Sequence, residues 1–260
     1  MDETLEIRIH GSDRCPTLIY LPGTHGDWTL VGSFRRALGD RVRFVEITYP
    51  RTLTWSLDDH AAAIEAALAR RGIMRGWVLG ESFGSQVVWA LLGRGRFAVQ
   101  GIVLAGGFVR HPTPWGVRLA ERLVGGVPLP WIQHGLSGYA KLARLRFRRS
   151  PEVLRDLQEF LERRSVELDR QAAQHRLRLI AQNDPCAVAR RAAAPVYVLS
   201  GLWDPIVPWF WVRRWLRKNC ANLRDYRVIA GADHNVLGTA PAAAAEIILG
   251  WINSHTEPRA

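Results

Sequence analysis

Five consecutive residues, Gly80-Glu81-Ser82-Phe83-Gly84, set one serine between two glycines, where the apolar run "GWVLG" gives way to the helix-like "SQVVWALL". A serine hydroxyl is a poor nucleophile at neutral pH. It becomes a good one when an oriented base, most often histidine, takes its proton and a carboxylate fixes that histidine's tautomer. The pattern G-x-S-x-G suits a sharp strand-to-helix turn that strains the serine's backbone and needs glycine on both sides to avoid collisions. The same five residues could be an ordinary turn. The reading therefore depends on whether a base and an acid lie at the same sheet edge.

The chain has eight histidines. Only His234, in "VIAGADHNVLG", directly follows a late strand-like run and sits in a glycine-containing loop. The same criterion applied to acids selects Asp204 in "VYVLSGLWDPIVPW", just beyond the preceding run. Asp233, beside His234, reads as a salt-bridge or loop residue, and Asp233 and Asp184 are the fallbacks for the acid. His25 reads as a loop or supporting residue, and His10, His60, His111, His134, His175 and His255 as surface or core. The chain order Ser82, Asp204, His234 is the nucleophile, acid, base order of one fold.

That arrangement needs a sheet whose strands end at one edge. Apolar, β-branched-rich runs recur at 17–21, 42–49, 76–80 and 101–107, as expected of strands buried on both faces, and the strand rhythm resumes at 194–201 and 223–231. Helical patterns alternate with them. The clearest is "SLDDHAAAIEAALARRG", in which Ser56 caps, Asp59 completes a capping box and Gly72 follows the last turn. The alternation predicts a mostly parallel central sheet flanked by helices. From His111 to about Ala194 the rhythm changes to a mostly helical insertion, including "SPEVLRDLQEFLERR" with Ser150 as cap and Pro151 in the first turn. The expected organisation is one core, residues 1–110 and 194–260, with a lid over 111–193.

With these residues in place, the chain resembles the α/β-hydrolase superfamily over essentially its whole length, and its serine carboxylesterase-like members in particular. The matching stretches are "GESFGS" for the nucleophile elbow, "GLWDPIVP" for the acid loop, "GADHN" for the histidine loop and "LIYLPGTHGDW" for the loop after an early strand. The resemblance implies an α/β-hydrolase fold with a helical lid and an oxyanion hole made by the backbone N–H groups of Thr24 and Phe83. At the early loop the chain departs from the family's usual His-Gly-x, because Pro22 stands where the histidine is expected and His25-Gly26 lies downstream. The implied chemistry is acyl transfer from Ser82 through an acyl-enzyme, with no metal and no organic cofactor. A serine nucleophile excludes the branches that use aspartate.

The expected function is a serine esterase, of the carboxylesterase type, hydrolysing esters of short to medium acyl chains. The alternatives are an acyltransferase, thioesterase or acyl-carrier-protein ester hydrolase with the same triad. A non-catalytic binding protein on the same scaffold is opposed by the complete triad and elbow. Trp28 and Trp203 are expected to line the substrate pocket with Phe83, while Trp209, Trp211 and Trp215 read as helix-packing aromatics.

The 260 residues, 48% hydrophobic and 23% charged, are enough for one large buried core and exclude disordered and fibrous classes. Cys15, Cys186 and Cys220 form no CxxC pair and read as reduced thiols. The acidic start "MDETLEIRIHG" lacks the pattern of a secretory signal, and no run reaches the ~18 apolar residues of a membrane span. A cytoplasmic protein with a small-molecule ester as partner is expected. The net charge of +11 gathers in the insertion at Lys141, Arg144, Arg146, Arg148 and Arg149, then Arg163, Arg164, Arg176 and Arg178. Such a run is usually a solvated face. The sharper reading is a docking surface for an acidic carrier protein, since the architecture is similar to that of the pimeloyl carrier-protein methyl ester esterases. No nucleic-acid-binding motif accompanies the charge.

Overall fold

A computed structural model describes residues 4–128, 131, 138, 151–163 and 166–256. Seven strands form one sheet in the order β1-β3-β2-β4-β5-β6-β7. They are β1 (Glu6–His10), β2 (Thr17–Leu21), β3 (Arg43–Thr48), β4 (Arg75–Glu81), β5 (Ala98–Ala105), β6 (Val196–Gly201) and β7 (Leu223–Ile229). All neighbours pair in parallel except β1, which runs antiparallel to β3 at one edge. The apolar runs of the sequence correspond to β2 through β7. β1 is the strand without a sequence counterpart, because "EIRIH" is a short, partly exposed edge strand that alternates charged or polar with apolar residues and has no apolar run.

Side chains alternate across the sheet, as the strand period requires. On one face Ile19, Val45, Val78, Ile102, Leu104 and Val198 pack with α2 (Leu57–Ala69) and α3 (Gly84–Arg94). On the other, Leu18, Tyr20, Phe44, Leu79, Val103 and Leu199 pack with α1 (Gly32–Leu38) and, near the C-terminus, α10 (Pro241–Thr256). Each such aliphatic side chain, at or below 1% exposure, contributes about 1.5–3 kcal/mol of burial free energy. The capping box of α2 is present: Asp59 N–H donates to Ser56 Oγ at 3.1 Å, and Ser56 N–H donates to Asp59 Oδ2 at 2.8 Å.

Among the described residues, four helices separate β5 from β6: α4 (Pro114–Gly126), α5 (Pro151–Arg163), α6 (Glu167–Gln182) and α7 (Cys186–Arg190). The predicted cap Ser150 lies outside the described residues. α4 packs along α6, with Arg178 and Glu121 paired at 2.8 Å. α5 reaches back to the core through Asp156, whose Oδ2 accepts from both the N–H and the hydroxyl of Ser33 at 2.6 Å in the first turn of α1. A buried carboxylate there satisfies a helix amide and faces the positive end of the helix. After β6 and β7 come α8 (Trp209–Asn219) and the short α9 (Val236–Thr239). Cys15, Cys186 and Cys220 are free.

Candidate active site

The parallel pairing brings the C-terminal ends of β2, β4, β5, β6 and β7 to one edge, and the loops that follow them converge there. Ser82 follows β4 directly. Its φ is +47°, the only positive value at a non-glycine position among the described residues. That conformation costs of order 1–3 kcal/mol and persists only where the surroundings impose it. The neighbours impose it sterically. A Cβ at Gly84 would stand 2.0 Å from the Leu21 carbonyl oxygen, and one at Gly80 would stand 2.6 Å from Val88 Cγ2. Only glycine fits at either end of the elbow. Ser82 N–H donates to the Ala105 carbonyl at 3.0 Å, and the Ser85 hydroxyl donates to the Ser82 carbonyl at 2.6 Å, so both sides of the turn are tied to the core.

His234 bridges the other two residues singled out by sequence. Its Nε2 lies 2.9 Å from Ser82 Oγ and its Nδ1 lies 2.8 Å from Asp204 Oδ2. With Nδ1 carrying the proton, the ring donates to the carboxylate and offers Nε2 to the serine hydroxyl. The other Asp204 oxygen accepts from the Ile206 and Val207 N–H groups at 2.8 and 2.9 Å, and its side chain is 1% exposed. The acid is thereby oriented by its own loop. The fallback acids are engaged elsewhere: Asp233 Oδ1 accepts from Asn235 N–H, and Asp184 caps Cys186 N–H and pairs with Arg110.

Phe83 is fully buried and immediately precedes α3, so its N–H belongs to the first-turn amides that a helix does not itself use. The loop after β2 runs beside the elbow, where a Cβ at Gly23 would lie 3.5 Å from Ser82 Cβ. His25 is a loop residue, its Nε2 within 2.8 Å of the Asp27 carbonyl. The Thr24 carbonyl accepts from Arg176 at 2.9 Å, and the Pro50 carbonyl accepts from the same guanidinium at 3.0 Å.

Arg176 corrects the reading of the insertion's charge. It is 1% exposed and serves the loop beside Ser82 from within. Arg178 is paired with Glu121, and Arg163 lies 3.5 Å from Asp27 and 4.8 Å above the Trp28 ring. These three are tied into the protein's own structure. Lys141, Arg144, Arg146, Arg148, Arg149 and Arg164 lie outside the described residues. Trp28 is 7% exposed, packs in the α1 side of the core and lies beneath Arg163 and beneath Arg8 at 4.6 Å. Trp203, by contrast, is 69% exposed beside Asp204, and its N–H donates to the Ala232 carbonyl, joining the acid loop to the histidine loop.

His111, read from the sequence as a surface or core residue, is buried close to the candidate site. It stands on the loop after β5, at the same edge as the others, and burial together with the nearby His234 lowers its pKa to about 4. It remains neutral near pH 7, and its Nδ1 accepts from Thr113 N–H at 3.2 Å. The available signal is its place in the loop that follows β5, six residues beyond the strand's end. His111 also forms a wall of a cavity of about 610 Å3 between this loop and α8, lined further by Val109, Trp211, Val212 and Trp215. Among the described residues no group of three or more His, Cys, Asp or Glu is placed to hold a metal ion, and no helix is long and apolar enough to cross a membrane.

Comparison with known proteins agrees with this fold. An esterase from Thermogutta terrifontis superposes with a TM-score of 0.76 at 18% identity, covering 97% of this chain and 94% of that one. The enol-lactonase from Burkholderia xenovorans gives 0.77 at 18% identity over 96% of each. An esterase from Exiguobacterium antarcticum gives 0.76 at 15% identity over 96% of this chain and 95% of that one. At these identities the likeness speaks to fold. No curated protein matches in sequence. The family model described as the alpha/beta hydrolase family matches residues 9–247, and the chain belongs to that family.

Proposed function

We propose that this protein is a serine esterase that hydrolyses carboxylic esters of short to medium acyl chains. The observation that carries the reading is His234 held between Ser82 Oγ at 2.9 Å and Asp204 Oδ2 at 2.8 Å, at a serine kept in a strained conformation. A binding protein would have no use for that strain.

In the proposed cycle His234 Nε2 takes the Ser82 proton as Oγ attacks the ester carbonyl. Asp204 keeps the ring oriented and stabilises the imidazolium. The Phe83 and Thr24 amides donate to the oxyanion of the tetrahedral intermediate, each such donor being worth about 2.7–4 kcal/mol in enzymes where one has been removed. His234 then returns the proton to the leaving alcohol. Water, deprotonated by the same nitrogen, cleaves the acyl-enzyme and restores Ser82. Trp203 offers an apolar surface to the ester beside this centre.

The test is a p-nitrophenyl ester series with Ser82→Ala and a fluorophosphonate label. Turnover should fall by at least roughly a thousandfold, the scale of a lost triad member, and the label should attach to Ser82 alone. A variant that kept most of its activity, or a label on another residue, would sink the assignment.

A further inference from the structure

The described residues leave an unusual amount of aromatic surface bare, and it is concentrated in two stretches. On α4, Trp115 is 69% exposed, and Leu119 and Leu123 follow it at one-turn spacing, each at least half exposed. Around Asp204 and on into α8 the exposed large hydrophobic side chains are Leu202, Trp203, Ile206, Phe210 and Trp211. The two stretches meet. Pro114, at the start of α4, and Trp211, on α8, are walls of one cavity, and the backbone of Ile206 hydrogen-bonds His111, three residues before Pro114. Taking about 250 Å2 for a tryptophan side chain, Trp115, Trp203 and Trp211 alone leave roughly 450 Å2 uncovered, on the scale of the largest apolar patches of soluble monomers, which are often functional.

The charge on the same elements has one sign. α4 carries Arg118 and Arg122, both exposed, and α8 carries Arg213, Arg214, Arg217 and Lys218, with the last three exposed. The one acid on these two helices, Glu121, is engaged by Arg178. We propose that this rim of α4, the acid loop and α8 docks on an anionic lipid bilayer. Tryptophan and phenylalanine settle at headgroup depth without a shape-matched pocket, and arginine and lysine beside them meet the lipid phosphates and carboxylates. An acidic protein would satisfy the cations but would have to supply a fitted apolar recess for rings spread over two elements. The bilayer accounts for both features. It would also place the acid loop, and with it the site around Ser82, at a lipid surface.

Co-sedimentation with vesicles tests this independently of hydrolysis. The full-length protein and its Ser82→Ala variant should bind phosphatidylcholine vesicles containing phosphatidylserine equally well, and roughly tenfold more tightly than vesicles of phosphatidylcholine alone, with binding weakening as salt rises. Combining Trp115→Ser, Leu119→Ser, Leu123→Ser and Phe210→Ser should reduce binding at least about tenfold while circular dichroism and turnover of a soluble p-nitrophenyl ester stay unchanged. Combining Arg214→Glu, Arg217→Glu and Lys218→Glu should abolish the preference for phosphatidylserine. Failure of the wild type to sediment with either vesicle, or undiminished binding by the variant in which Trp115, Leu119, Leu123 and Phe210 are all serine, overturns the proposal. So does capture on polyglutamate beads without vesicle binding, which would assign the face to an acidic protein. Vesicle binding without ester hydrolysis would leave this surface standing and remove the esterase reading.

Discussion

His60 is a buried histidine that gains nothing from its polarity, and this makes its replacement a measurement of acid sensitivity. It is fully buried among Tyr49, Trp55 and Phe83, with ring centroids 5.0, 5.2 and 5.8 Å away, and neither ring nitrogen has a hydrogen-bond partner. Burial, reinforced by the Arg176 and His175 charges and opposed by Asp59, lowers its pKa from 6.5 to about 3. The unfolded chain therefore takes up a proton near pH 6.5 that the folded chain refuses until about pH 3. The stability from keeping His60 neutral is present above pH 6.5 and is lost progressively as pH falls towards 3. Between pH 7 and pH 4.5 this one group removes about 2.5 kcal/mol from the wild type. His60→Leu cannot titrate and loses two unsatisfied nitrogens, so at pH 7 it should be neutral or stabilising by about 1 kcal/mol. Urea unfolding of both proteins at the two pH values gives the comparison directly. Carboxylates and His111 destabilise both equally, and the difference isolates His60. If the two proteins lost the same stability between pH 7 and 4.5, the histidine would be hydrated or paired in the fold and the argument would be wrong.

Two further perturbations address the site. Asp204→Asn leaves a side chain able to donate to His234 Nδ1 and so stabilises the wrong tautomer; kcat should drop by roughly 10^4, and combining it with Ser82→Ala should cost little more than either change alone, as measured by steady-state p-nitrophenyl ester kinetics. Arg176→Met should strip the Thr24 and Pro50 carbonyls of a charged donor, lowering stability by about 3 kcal/mol in urea unfolding and kcat along with it. Arg176→Lys, which retains one charged donor, should recover part of both, and full kcat in the methionine variant would show that the β2 loop holds its place without the lid helix.

The elements that build the sheet are legible in the sequence because they are local. β2 through β6 are buried over most of their length, so each reads as a largely apolar run, and the capping box of α2 is complete within four residues. The elbow is legible for the same reason. Gly80 and Gly84 are required by contacts within one strand-turn-helix unit and the adjoining β2, and a five-residue pattern carries that information. Ser82, Asp204 and His234 could be picked out because parallel strands put every C-terminal end at one edge, so a position just after a strand is already a statement about space. β1 escaped because an edge strand, wet on one side, has no apolar run to show. What only the tertiary structure decided is where long side chains end. Arg176 and Arg178 sit two residues apart on one helix, yet one guanidinium is buried against the β2 loop and the other pairs with Glu121 across the helix interface. Trp28 and Trp203 both lie in loops at the functional edge, yet one is roofed by Arg8 and Arg163 and the other is bare. The residues that settle these outcomes come from distant parts of the chain. Burial and charge pairing are properties of an assembled neighbourhood, and no spacing along a single segment encodes them.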